Sequence, residues 1–154
     1  LAFLSGVMRA DTAADAYLFH TRLVRITEAL RDRDAMRAVE RMSLMADGFG
    51  GGSKIGFSLM RFAQTYAKRF VDGRSVVLIL SDGYDTSAPE LIGDALEKLR
   101  KRGCKIIWLN PLKGWADYAP VAAGMKAALP YLDAFKAANT LSDLATLETE
   151  LAHL

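Results

Sequence analysis

The chain has few of the residues that build covalent cross-links and metal clusters. Among its 154 residues are a single cysteine, Cys104, and two histidines. One cysteine excludes an internal disulfide framework and is compatible with a reducing compartment, so we expect a cytoplasmic protein. Because Cys104 begins a short apolar run, we expect a buried structural thiol. The histidines are too far apart to indicate a metal-ligand pair, and we expect a structural or surface role for His20.

Long apolar runs and a strong net charge are also absent. No apolar stretch reaches the roughly 18–20 residues needed to span a membrane. The formal net charge is +2, which does not indicate nucleic-acid binding, and the basic residues between 98 and 105 fit the solvated end of a helix. With 51% hydrophobic and 25% charged residues, the composition predicts a globular fold in which residues 1–154 form one domain.

The most distinctive segment is an uninterrupted aliphatic run, residues 76–80, that ends in Ser81-Asp82-Gly83. Such a run predicts a strand buried on both faces, and therefore a parallel sheet covered by helices. Ligands of open α/β sheets lie just beyond the carboxyl ends of the strands. Asp82 is therefore a candidate metal- or phosphate-binding residue, although Asp and Gly also dominate ordinary turns.

The rest of the chain alternates helical patterns with short strands. A hairpin of strands at 16–20 and 23–26 precedes a helix at 34–45 and a glycine-rich loop at 47–52. Ser53 is the expected N-cap of a helix reaching Phe70. This helix would bury one apolar face, made of Ile55, Leu59, Phe62, Ala63, Tyr66 and Phe70.

Further elements complete an α/β pattern. They are a helix at 1–9, a helix from Pro89 that ends at Gly103, a strand at 106–109, and helices at 119–129 and 142–153. Strands that alternate with helices predict a mostly parallel sheet with helices on both faces. The hairpin adds one antiparallel edge strand to this prediction.

Two loops can supply ligands to a hard cation. Ser53 offers a hydroxyl and Asp82 a carboxylate, and Mg²⁺ prefers oxygen ligands of these kinds. Two protein ligands alone bind weakly, so we expect open positions for water or for the carboxylate of a partner. Alternatively, the loops bind no ion and Ser53 only caps a helix.

Several enzyme motifs do not match the sequence. A Walker A loop requires Lys before Ser or Thr, whereas Ser53 precedes Lys54. Asp82 and Asp85 are three residues apart, not two as in aspartyl phosphatases, and no Gly-x-Ser-x-Gly elbow surrounds Ser53. A phosphate-handling hydrolase using Asp82 and Asp85 remains the weaker alternative, because no base or nucleophile for it is evident.

Four segments in this order resemble a von Willebrand factor A domain of the bacterial CoxE-like branch: residues 19–23, 51–56, 80–85 and 107–112, with 117–118 and 124–130 after them. The resemblance covers Tyr17 to Leu144. It implies a Rossmann-like, three-layer α/β/α fold and a metal-ion-dependent adhesion site (MIDAS) built by three loops. Ser53 matches the Thr of the second loop and Asp82 the Asp of the third.

The Asp-x-Ser-x-Ser of the first MIDAS loop, with the central strand before it, has no match in the sequence. In the family's strand order that strand would separate the hairpin from residues 76–80. Its absence would leave buried backbone groups unpaired, each at a cost of about 1–3 kcal/mol. We therefore expect an N-terminally truncated domain, with the strand supplied by another polypeptide, by strand exchange or by a second copy in a homo-oligomer.

The resemblance also implies a function. CoxE-like proteins act with a MoxR-type AAA+ ATPase in the maturation or activation of a client protein, as in carbon monoxide dehydrogenase assembly. The expectation is a non-enzymatic, metal-dependent protein-binding module. Mg²⁺ or Mn²⁺ at Ser53 and Asp82 would take a Glu or Asp of the partner as its last ligand.

Overall fold

The computed structural model describes residues 2–32, 34–45, 52–115, 119–120 and 122–151. The predicted glycine loop lies outside these residues except for Gly52, as does the segment 117–118. The chain divides into two compact units, Leu1–Gly52 and Ser53–Leu154. No helix of the described residues is long and apolar enough to cross a membrane.

The first unit contains the predicted hairpin. Its described elements are α1 (Ala2–Ala10), β1 (Tyr17–Phe19), β2 (Leu23–Arg25), α2 (Thr27–Leu30) and α3 (Ala35–Met45). Strands β1 and β2 pair antiparallel, with Leu18 opposite Val24, and form a two-stranded sheet separate from the parallel one. The hairpin and the helix at 34–45 are therefore confirmed, whereas the one-turn helix α2 was not predicted.

The second unit carries the parallel sheet. Its described elements are α4 (Ile55–Arg61), a π-helical segment (Phe62–Tyr66), α5 (Ala67–Phe70), β3 (Val76–Leu80), α6 (Glu90–Arg100), β4 (Lys105–Asn110), α7 (Ala123–Ala128), a 3₁₀ turn (Leu129–Tyr131), β5 (Ala134–Ala137) and α8 (Leu141–Leu151). The strand order is β3-β4-β5, and both pairings are parallel. The predicted α/β class with a mostly parallel sheet is confirmed.

Strand β4 is buried along all but its first residue. Each residue from Ile106 to Asn110 is at most 2% exposed. In β3 only Ile79 is buried, whereas Val76 and Leu80 are 39% and 44% exposed. The prediction that 76–80 is buried on both faces is therefore wrong, because among the described strands β3 lies at the edge of the sheet and pairs only with β4.

The apolar face predicted for the helix after Ser53 is confirmed except at its end. Ile55, Leu59, Phe62 and Ala63 are buried as predicted, but Phe70 is 46% exposed, because the π segment shifts the later residues around the helix axis. Strand β5 was not predicted at all. Its four residues, Ala-Phe-Lys-Ala, have no β-branched member and are only half-buried.

The start of α6 was predicted correctly, whereas its C-cap is Lys101 and not the predicted Gly103. Pro89 stands at the N-cap of α6, and Gly103 follows the helix with a φ of +83°, a conformation that glycine adopts without strain. Cys104 is buried with 5% exposure, and burial raises the pKa of its thiol. This confirms the predicted buried thiol.

Candidate functional site

The loop that follows β3 is held in place by β4. Ser81 N–H donates to Leu109 O at 3.0 Å, which extends the sheet by one residue. The Trp108 indole N–H donates to Ser81 O at 2.9 Å, and the Asn110 side-chain amide donates to Asp82 O at 3.0 Å. Trp108 and Asn110 are both fully buried, so the loop position depends on the core of the sheet.

Asp82 lies where the sequence predicted, at the carboxyl end of a parallel strand. Its side chain is half-buried, and one carboxylate oxygen, Oδ1, accepts the Tyr84 N–H at 3.0 Å. No residue within the described ranges donates to the second oxygen, Oδ2. Gly83, which lies between Asp82 and Tyr84, makes the turn with a φ of +83°. Among the residues that the structure describes, the second oxygen of Asp82 is thus left available to a ligand.

Ser53 does not cap the helix that follows it, so that prediction is wrong. The N-cap of α4 is Lys54, with no side-chain capping bond of its own. The Ser53 carbonyl instead accepts two hydrogen bonds from Thr86, from the backbone N–H and from the hydroxyl, each at 2.9 Å. Thr86 is part of the Asp82 loop, so the structure brings the two predicted ligand loops together.

Asp85 provides the missing cap from the neighbouring loop. Its Oδ1 accepts Ile55 N–H at 2.9 Å and its Oδ2 accepts Gly56 N–H at 2.8 Å. Ser87 donates to the same carboxylate through its N–H at 3.1 Å and its hydroxyl at 2.5 Å. A carboxylate that binds the first N–H groups of a helix also interacts favourably with the helix dipole.

Burial and hydrogen bonding oppose each other at Asp85. Burial raises the pKa of this carboxyl, but the hydrogen bonds from Ser87, Gly56 and Ile55 outweigh burial and hold the pKa below its ordinary value of 3.8. All four donors stabilise the charged form. Asp85 is therefore ionised at neutral pH and occupied by donors on both oxygens.

We expect Asp85 to make stability depend on pH in the acid range. A carboxyl whose pKa is lowered by folding contributes stability above the pKa of the unfolded chain, about 3.9, and loses it as the pH falls through the folded value. The free energy of unfolding should therefore differ between wild type and Asp85→Asn at pH 7, and this difference should shrink below about pH 4. Urea unfolding across this range measures both, and a constant difference would contradict the expectation.

The described residues contain no group of three or more His, Cys, Asp or Glu side chains that could hold a metal ion. The two predicted ligands offer a carboxylate, from Asp82, and a hydroxyl, from Ser53. Both are hard oxygen donors, as Mg²⁺ and Mn²⁺ require, and their loops are hydrogen-bonded to each other. The donor types thus fit such an ion, while the protein ligands leave most of its coordination positions open.

A parallel sheet with helices, and with polar loops at the carboxyl ends of its strands, defines an α/β protein of the kind that binds ligands at that edge. The sequence gives the particular family. Residues 1–144 match the family described as VWA domain containing CoxE-like protein. Because the match covers most of the chain, the protein belongs to this von Willebrand factor A family. No curated protein sequence gives a significant match to the chain.

Proposed function

We propose that the protein is a non-enzymatic binding module that contacts a partner protein through a divalent cation. Ser53, in the second loop of a MIDAS, and Asp82, in the third, would hold Mg²⁺ or Mn²⁺. The observation that carries the proposal is the pair of hydrogen bonds from Thr86 to Ser53 O, which join the two ligand loops. When bound, the cation supplies an open coordination position that attracts a carboxylate.

The residues of this chain have distinct parts in the binding step. The Asp82 carboxylate supplies the negative charge of the site, and Ser53 supplies a neutral hydroxyl. The buried Asn110 amide fixes the Asp82 backbone, so little freedom is lost when a ligand binds. A Glu or Asp of the partner would complete the coordination, which makes the contact both cation-dependent and selective for an acidic residue.

We further propose that this contact serves the maturation or activation of a client protein together with a MoxR-type AAA+ ATPase, in an assembly of the carbon monoxide dehydrogenase type. Membership of the CoxE-like family supports this role. We propose a cytoplasmic location, which the single cysteine of the chain supports. The engagement of both Asp85 oxygens by backbone and hydroxyl donors argues against the alternative, a phosphate-handling hydrolase that uses Asp82 and Asp85.

We expect Asp82→Ala to abolish cation binding and Ser53→Ala to weaken it. A metal ion loses its only charged ligand in the first variant and a neutral one in the second. Mn²⁺ titration followed by electron paramagnetic resonance or by calorimetry measures the affinity. The matched control is Asp94→Ala, which removes an exposed carboxylate on α6 without touching the loops.

The same variants test the role in partner binding. Capture of an AAA+ ATPase or a client should require Mg²⁺, should be lost in EDTA, and should be lost in Asp82→Ala but kept in Asp94→Ala. Partner binding that is unchanged by both chelation and Asp82→Ala would leave the metal-free scaffold as the better description. Equal Mn²⁺ affinity for wild type and Asp82→Ala would reject the cation site.

A further inference from the structure

Asp85 and Thr86 connect the Asp82 loop to the start of α4 through four hydrogen bonds. The Asp85 carboxylate receives two backbone N–H groups of that helix, from Ile55 and Gly56. Thr86 adds two hydrogen bonds to Ser53 O. Ser53 is therefore held at its own carbonyl by Thr86, and the chain two and three residues later is held by Asp85.

The helix start cannot move away from this arrangement easily. Gly56 lies so close to the loop and to α6 that an added Cβ would stand 2.8 Å from Leu91 Cβ and 3.2 Å from Asp85 Oδ2. Ile55 is fully buried, so the first turn of α4 is packed on its apolar side as well. Because this turn is closely packed, the hydrogen bonds to Asp85 hold the start of α4 in one position relative to the Asp82 loop.

We propose that Asp85 and Thr86 form a clamp that sets the position of Ser53 relative to Asp82, and that Asp85 is a positioning residue and not a ligand of the cation. This inference rests on the proposed function, because the position of Ser53 matters for binding only if Ser53 is a ligand. Each Asp85 oxygen already accepts two hydrogen bonds, so that four donors occupy the carboxylate. In this clamp, Thr86 contacts Ser53 itself, and Asp85 contacts the first residues of α4, the helix that follows Ser53.

Asp85→Asn is the most informative substitution. The side chain keeps its size, but one oxygen becomes an NH₂ group, which cannot accept the N–H that now faces it. At least one of the bonds to Ile55 or Gly56 is then lost. Asp133→Asn is the matched control, because Asp133 Oδ2 also accepts a backbone N–H, from Ile106 at 2.8 Å, at the opposite end of the strands from Asp82.

Mn²⁺ titration of the purified protein separates positioning from stability. Asp85→Asn should weaken Mn²⁺ binding by about 10-fold to 100-fold, the range found when groups that orient metal ligands are replaced. Asp133→Asn should lower the melting temperature without changing the affinity. Equal affinity in Asp85→Asn and Asp133→Asn, with both folded, would overturn the clamp.

Thr86 offers a second variant that does not threaten folding, because this residue is exposed. Thr86→Val removes only the hydroxyl that donates to Ser53 O, whereas Thr86→Ser keeps it. Weaker Mn²⁺ binding in Thr86→Val with normal binding in Thr86→Ser supports the clamp. Identical affinities in the two variants argue against it.

Amide hydrogen exchange decides the inference even if the cation site fails. Should wild type bind no Mn²⁺, the proposed function is wrong, but the Thr86 N–H still reports on its bond to Ser53. Faster exchange of this proton in Asp85→Asn than in Asp133→Asn would show that Asp85 controls the Ser53 contact. Equal exchange in the two variants would refute the clamp independently of any metal.

Discussion

Replacement of Trp108 by alanine is expected to destabilise the protein by about 3–5 kcal/mol, the usual loss for a large buried aromatic residue. Trp108 lies in the middle of β4 with 0% exposure and is paired with Ile79 on one side and Phe135 on the other. Its removal would leave a cavity in the core, on the face of the sheet that its side chain covers. Since domains have about 5–15 kcal/mol of stability in total, this variant should lose a large fraction of that stability and unfold at a clearly lower urea concentration.

Urea unfolding followed by circular dichroism measures this effect, and Trp115→Ala is the control. Trp115 is the other tryptophan of the chain and is 69% exposed, so its loss should change stability by no more than about 0.5 kcal/mol. Similar midpoints for Trp108→Ala and Trp115→Ala would contradict the position of Trp108 in the core.

Trp108→Phe separates the two contributions of this residue. Phenylalanine keeps most of the apolar volume but removes the indole N–H that donates to Ser81 O. A buried acceptor without its donor costs about 1–3 kcal/mol, so this variant should fall between wild type and Trp108→Ala. Because Ser81 precedes Asp82, we also expect Trp108→Phe to weaken cation binding at the proposed site.

Gly83→Ala is expected to have the second-largest effect. Gly83 has a φ of +83°, a conformation that costs an alanine about 1–2 kcal/mol. The added Cβ would also lie 2.3 Å from Cγ and Sδ of Met125, a side chain that is fully buried. Overpacking of this kind typically costs a further 1–3 kcal/mol, roughly.

Gly73→Ala is the matched control, since no atom lies within 4 Å of a Cβ at that position and its φ is not positive. Thermal unfolding should show a clear loss for Gly83→Ala and little change for Gly73→Ala. Gly83→Asn separates the cost of the positive φ from the cost of the overlap with Met125, because asparagine tolerates positive φ better than alanine does. A Gly83→Ala protein as stable as Gly73→Ala would reject the turn geometry described above.

The local patterns of the sequence predicted much of the architecture. The hairpin, the strand at 76–80 and the start of α6 at Pro89 each depend on neighbouring residues, and each is confirmed. Strand β5 was missed because its short segment has weak strand propensity. The exposure of Phe70 was missed because the π segment changes the helical period within an otherwise regular pattern.

The candidate site was predictable only in its outline. Asp82 stands at a strand end, and that position follows from the sequence itself. Ser53 was expected to cap α4, but the structure assigns this task to Asp85, which is 30 residues from Ile55 in the chain. Asp85 had been considered only as part of a hydrolase, since no local pattern marks a carboxylate that caps a distant helix.

The sequence by itself therefore determined the α/β class, the polar turn after β3 and the chemistry of Ser53 and Asp82. The tertiary structure alone decided that β4 and not β3 is the buried strand, that Trp108 and Asn110 hold the loop, and that Asp85 and Thr86 join it to Ser53. The physical reason is the distance along the chain over which each kind of interaction acts. Periodicity and turn preferences act between near neighbours, whereas these contacts link residues 27 to 33 positions apart and exist only once the strands have paired.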